Sequence, residues 1–399
     1  MRIFIILLLT FLFIFSDSFS QGSFTGEEND KSSLELRGYL SNMQSVMFTD
    51  VKKSWINDNL FHNRLNFYWY YGNNLTASIQ FRNRFMYGQT ITVNPGYAES
   101  IDNEENFLDL SMNIFNERSF FLNTAIDRLF LQYTAGKFVF TAGRQRINWG
   151  QTMVWNPNDV FNVQNFFDFD YPEKPGSDAI RLQYYPNYTS SLELAAKLDK
   201  NDKVTAAVYY RFNKVGYDWQ IISGVLAEDD IFAGIGWAGD IEGAGFRGET
   251  SYFHPLENSA DMSGLFIASL SLDYTFSNSF YLLFETLYNM KAEGSENTGF
   301  FEFYQGTLDV KKLSFSEWNF FLQASYPFTP LLNASLSGIY FPEVKGFYAG
   351  PSIDYSLKDN AELSFISQIF DGEFPDPLTG NSTGRTTLFA GFLRYKFSF

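Results

Sequence analysis

The chain has no cysteine and only two histidines, His62 and His254, in 399 residues. Without thiols there are no disulfides, thiolate zinc sites, iron-sulfur clusters or cysteine nucleophiles. Basic residues are scarce as well: 29 Lys and Arg against 45 Asp and Glu give a net charge of -16. That sign is opposite to the surface needed to displace counterions from nucleic acid. Past residue 20 no stretch of 18 uncharged apolar residues occurs, so no helical membrane span is expected. The stretch Gly243-Ala244-Gly245-Phe246-Arg247-Gly248 has the spacing of a dinucleotide fingerprint, but no βαβ pattern surrounds it.

Aromatic residues are abundant. Phe, Tyr and Trp number 46, 24 and 7 and make up 19% of the chain, where a soluble domain would carry its apolar weight as Leu, Ile, Val and Ala. Residues 1–20 read as a cleaved secretory signal: Arg2 is the positive region, Ile3 to Phe15 the apolar core, and Ser18-Phe19-Ser20 the small-residue site before Gln21. Residues 21–399 then show period-two alternation in segments of about ten residues, the signature of transmembrane strands. In Thr76 to Tyr87, Ala77, Ile79, Phe81 and Phe85 share one face, and Ser78, Gln80, Arg82 and Arg84 the other. With no helix to cover a sheet, this pattern predicts an all-β fold, an antiparallel up-and-down transmembrane barrel with apolar side chains outward and polar ones inward.

Eighteen strands are expected, near 33–46, 61–71, 76–87, 124–134, 137–147, 178–185, 190–198, 203–212, 217–226, 231–238, 242–254, 265–276, 280–290, 315–326, 331–341, 347–357, 361–370 and 386–399. Tight connections at 71–74, 135–136, 277–279, 327–330 and 358–360 fall at one end. Long ones at 88–123, 148–177, 291–314 and 371–385 fall at the other, as periplasmic turns and external loops do in outer-membrane barrels. In the last strand Leu393, Tyr395, Phe397 and Phe399 alternate with Arg394, Lys396 and Ser398. A terminal aromatic at Phe399, with Tyr395 and Phe397 in phase, resembles the insertion signal of Gram-negative outer-membrane barrels. It implies the barrel-assembly machinery, outer-membrane lipid and lipopolysaccharide as partners.

Arg64, Arg82, Arg84, Arg128 and Arg181 recur on the polar faces of neighbouring strands and would form one basic wall of the lumen if their depths match. Such a wall would attract anions, or else form a ladder paired with carboxylates such as Glu35, Glu193 and Glu285. Arg144 and Arg146 share the parity of Phe138 and Phe140, so a bulge at Gly143 or an exit from the membrane there is needed to return them to the lumen. The loop 148–177 carries Trp155, Phe161, Phe166, Phe167, Phe169 and Tyr171 among Pro157, Pro172 and Pro175. It is expected to fold into the lumen as a constriction, the alternative being a surface patch for an envelope protein partner. Asp168, Asp170, Glu173 and Asp178 lack the spacing of a calcium loop, so no metal site and no cofactor is expected. Neither histidine lies near a nucleophile motif, and no enzymatic activity is expected.

The segment from Gly143-Arg144-Gln145-Arg146 to Trp149-Gly150, with Trp155-Asn156-Pro157-Asn158-Asp159 after it, resembles the strand-to-loop motif of porin-like barrels related to the alginate-export and anion-selective porin families, especially their relatives in Bacteroidota. Asp127-Arg128-Leu129-Phe130-Leu131-Gln132-Tyr133 and Asp178-Ala179-Ile180-Arg181-Leu182-Gln183-Tyr184 fit the same pattern. The resemblance implies an eighteen-stranded outer-membrane channel with an Arg-lined lumen, passing small polar or anionic solutes, with Arg144 as the arginine of the Gly-Arg-Gln motif. The net negative charge departs from a strongly basic anion channel. The other function open to such a barrel is docking, as a component of a secretion, uptake or surface-assembly complex.

Overall fold

A computed structural model describes residues 32–52, 55–102, 104–163, 166–257, 264–290, 309–373 and 385–399. The expected signal at 1–20 and parts of the loops 291–314 and 371–385 lie outside these residues. The strands are β1 (Ser32–Phe48), β2 (Ile56–Tyr71), β3 (Leu75–Gly88), β4 (Ser111–Glu117), β5 (Phe120–Ala135), β6 (Phe138–Gln145) and β7 (Ser177–Asn187). They continue as β8 (Ser190–Leu198), β9 (Val204–Lys214), β10 (Tyr217–Leu226), β11 (Asp230–Ile241), β12 (Ala244–Pro255) and β13 (Leu265–Thr275). The last are β14 (Tyr281–Asn289), β15 (Trp318–Thr329), β16 (Leu332–Phe341), β17 (Gly346–Lys358), β18 (Ala361–Gly372) and β19 (Thr386–Ser398). All but β4 pair antiparallel with their neighbours in order, and β1 pairs with β19, so eighteen strands close a barrel with no free edge.

Alternation decides which way each side chain points. On β19 Leu393 and Tyr395, and just past its end Phe399, are exposed on the outer surface, while Arg394 reaches Glu362 on the inner one. Tight turns gather at the end where β1 begins and β19 ends, and the connections β3–β5, β6–β7, β14–β15 and β18–β19 at the other. Phe399 is clamped to Gly38 by reciprocal backbone hydrogen bonds of 2.9 Å at the closing seam.

Two departures from simple alternation matter. The connection 88–123 is not a plain loop: it contains the short helices α1 (Gln89–Val93) and α2 (Tyr97–Asp102) and the nineteenth strand, β4. Ile91 and Ala98 bury against Met86 and Phe121, and β4 pairs with the upper part of β5, where β6 has already ended. The second departure is inside the barrel. The arc β10–β19 turns Ile222, Phe232, Phe253, Ile267, Leu287, Phe321, Ile339 and Phe370 inward, all nearly inaccessible. This arc therefore mixes an apolar patch with buried polar residues such as Glu249, Ser251 and Glu285, where alternation predicts a polar lumen face throughout, and the loop packs on it.

Candidate functional site: a loop pinned across the barrel

Strand β6 stops after eight residues. Gly143 is its breaking point, with φ +110°, and a Cβ there would lie 2.2 Å from the Leu129 carbonyl oxygen, so only glycine fits. The chain leaves the wall after Gln145 and does not return until β7.

Its first lobe crosses to the apolar arc. Trp149 stacks on Tyr209 with ring centroids 5.2 Å apart, and its indole N–H donates to Glu193 at 3.1 Å. Residues 151–158 have no regular structure, so their backbone N–H groups need acceptors from elsewhere. Glu249 of β12 accepts from the N–H groups of Gln151, Thr152 (2.7 Å) and Asn158 (3.0 Å). Glu285 of β14 accepts from Met153 (2.9 Å), Val154 (3.1 Å) and Trp155 (2.7 Å). The Asn158 side chain lies on β11, where it donates to the Ile235 carbonyl at 3.1 Å and accepts from Ser251 at 2.7 Å. Gly234 and Gly236 make room for it, since a Cβ would come within 2.6 Å and 3.1 Å of its amide. Asp159 accepts from the Trp149 N–H at 3.3 Å. Burial pushes its carboxyl up to about 8, against the pull of Arg146.

The second lobe sweeps round the remaining wall. Phe166 meets Phe321 and Tyr348, Phe167 meets Phe370, and Phe169 meets Phe392 at centroid distances of 4.8 to 5.9 Å. Asp170 then lies 3.4 Å from His62, and the Arg82 guanidinium sits 3.7 Å over the Tyr171 ring. Burial raises the Tyr171 hydroxyl to about 12, opposed by Arg82. Tyr39 donates to Glu173 at 3.2 Å, and Arg128 donates to the carbonyls of Glu173 and Lys174 at 2.8 and 2.7 Å. The two lobes together touch wall residues right round the interior. Trp155, Phe161, Phe167 and Tyr171 are buried there, and Phe166 and Phe169 are partly buried.

The arginines divide by environment. Arg64 is fully enclosed, paired with Asp127 and bonded to Gln80 at 2.8 Å. Arg128 is buried one residue beyond Asp127, where the β3–β5 register shifts and lets both side chains turn inward. Arg181 pairs with Glu193. Arg82, Arg84 and Arg146 are, like Arg181, partly exposed; Arg82 pairs with Asp127 at 3.6 Å, Arg84 donates to Asn123 at 3.2 Å and Arg146 to Asn148 at 3.0 Å.

Arg144 stays out of the open lumen, contrary to the expectation that the chain's exit would bring it there. It is 2% exposed and pairs across β6–β7 with Asp178 (2.8 Å). It also binds Glu104 (2.7 Å) and the Leu108 carbonyl, and so ties the shortened β6 to the segment before β4. Burial raises the Glu104 carboxyl despite that arginine. The contacts made by Glu249 and by Asn158 on β11 had no sequence signal beyond an inward parity.

No family model matches the chain, and none of the curated proteins does. Solved structures do share its fold. OccK8 (OprE) of Pseudomonas aeruginosa superposes with a TM-score of 0.57 at 7% identity, covering 92% of this chain and 98% of that one. OccAB2 of Acinetobacter baumannii gives 0.55 at 11%, covering 95% and 100%. OccD3 (OpdP) of Pseudomonas aeruginosa gives 0.54 at 9%, covering 94% and 93%. These neighbours are outer-membrane porins of the Occ/OprD family.

Proposed function

We infer that the chain is an outer-membrane channel for passive diffusion of small polar or anionic solutes, narrowed by its 148–177 loop. The observation that carries this reading is the loop pinned across the barrel by Glu193, Glu249 and Glu285 while Arg82, Arg84 and Arg146 stay partly exposed. A water-filled barrel lowers the barrier for a hydrated solute with no chemical step, and a fixed crossing of this kind selects among solutes by pore width and charge. The fold shared with outer-membrane porins supports it. On this reading the cleaved signal at 1–20 exports the chain, Tyr395, Phe397 and Phe399 present it to the barrel-assembly machinery, and the outward aromatics meet lipid and lipopolysaccharide. The alginate-export and anion-porin resemblance, of the Bacteroidota type, belongs to the same proposal. Docking through the loop's aromatics is disfavoured, because those side chains are spent on the inner wall.

The test is planar-bilayer recording of the purified protein under a salt gradient. We expect an open pore whose reversal potential favours anions and shifts toward neutrality in Arg82→Ala with Arg84→Ala. A pore with unchanged selectivity in that variant would overturn the arginines' role, and absence of conduction would overturn the channel.

A further inference from the structure

We propose that the half of the lumen nearest the tight turns binds uncharged saccharide rings on a platform formed by Tyr68 and Tyr70. This rests on the channel reading above, and it names a solute class that the arginines do not suggest.

The platform consists of two inward residues on β2, at register positions opposite Glu35 and Ser33 of β1. Their rings are parallel to within 11°, with centroids 6.2 Å apart, and both are partly exposed. Each hydroxyl is tied sideways into the wall: Tyr70 donates to Glu35 at 3.2 Å, and Tyr68 accepts from Gln80 at 2.9 Å. The rings are thus held in place and remain partly exposed. Unlike the inward rings of Phe321, Tyr348 and Phe370, which are buried, these two remain partly exposed.

Several charges on the inner wall at this end are paired. Arg37 pairs with Glu35 (2.6 Å), Arg181 with Glu193, Arg247 with Asp273, and Arg394 with Glu362 (3.2 Å). Paired in this way, these groups offer hydrogen-bonding edges, and Lys396 lies over the Tyr39 ring at 4.3 Å. Further round the wall, β16 and β17 present small hydroxyl side chains, Ser335 and Ser352, 2.7 Å apart. A solute suited to this surface has an apolar face, a rim of hydroxyls and no charge. A pyranose ring meets all three requirements, with its C–H face on the tyrosine and its hydroxyls on the paired ions and amides.

The experiment has two readouts. Maltotriose is added to single channels in a bilayer, and its binding to the full chain is measured by calorimetry in a detergent without a sugar headgroup. Sorbitol, which has hydroxyls but no ring, is the control. Maltotriose should interrupt the ion current reversibly and bind in calorimetry, and sorbitol should do neither. Tyr68→Ala with Tyr70→Ala should weaken binding about tenfold or more while the open conductance is kept. Tyr68→Phe with Tyr70→Phe should retain most of the binding, which separates ring loss from misfolding. Conduction without maltotriose binding, equal binding of sorbitol, or undiminished binding in the Ala variant would overturn the saccharide site and leave the channel standing. Maltotriose binding to a chain that does not conduct would overturn the channel and keep the site.

Discussion

A carboxylate that accepts three backbone N–H groups cannot become an amide without turning a donor toward donors. Glu249 and Glu285 are both in that position, each buried beneath the loop. Glu285→Gln should cost about 1–3 kcal/mol of loop docking, the penalty for buried donors left unpaired. The expected readout is a noisier and larger single-channel current, and a current indistinguishable from wild type would remove Glu285 as an anchor. Asp159 adds a pH dependence. Its carboxyl titrates at about 8 in the folded chain, far above the usual 3.8, because it is buried. The docked loop therefore holds a proton that the undocked loop gives up. Docking is fully stable only below the usual carboxylate value and loses stability as pH rises from there to about 8. Arg146, Lys197 and Glu249 face the same group and modulate that window. Current noise should grow between pH 5 and 8, and Asp159→Asn should flatten the profile; an equally steep profile in that variant would exclude Asp159 as the cause.

Among the elements, the short β6 is the one whose truncation shapes the rest. Its early end opens the wall for the loop and leaves a gap that β4 and the segment before it close, with Arg144 as the rivet between them. Arg144→Ala would strand Asp178 and Glu104 without their cation, a loss of about 3–5 kcal/mol for a broken buried pair. Arg144→Lys would restore charge but not the fork that holds both acids at once. Thermal unfolding in detergent should therefore fall well below wild type for the Ala variant and only partly recover for Lys; full recovery with Lys would mean that charge alone matters. On β11, Gly236→Val should push Asn158 off the wall and enlarge the pore, because a Cβ at that position enters the space of Gln220 and Asn158.

At the scale of the whole molecule, the barrel was readable and its filling was not. Period-two alternation and turn residues are local properties, so they located eighteen wall strands and sorted the connections into two ends. The strand β4 escaped because its seven residues sit in a long connection and pair only with the upper part of β5. Inward Phe253, Phe321 and Phe370 could not be told from lipid-facing residues, since both environments reward apolar side chains and parity alone does not say which face is wet. The aromatic loop was legible by composition, whereas its anchors depend on register and depth. The placement of Arg144 likewise turned on the segment 104–110, forty residues upstream of it by no more than chain order.

The most direct measurement of the central claim is the single-channel conductance of the wild-type chain against a variant lacking residues 156–172. If the loop sets the pore, wild type conducts and the deletion raises its conductance several-fold. An unchanged conductance would contradict the account.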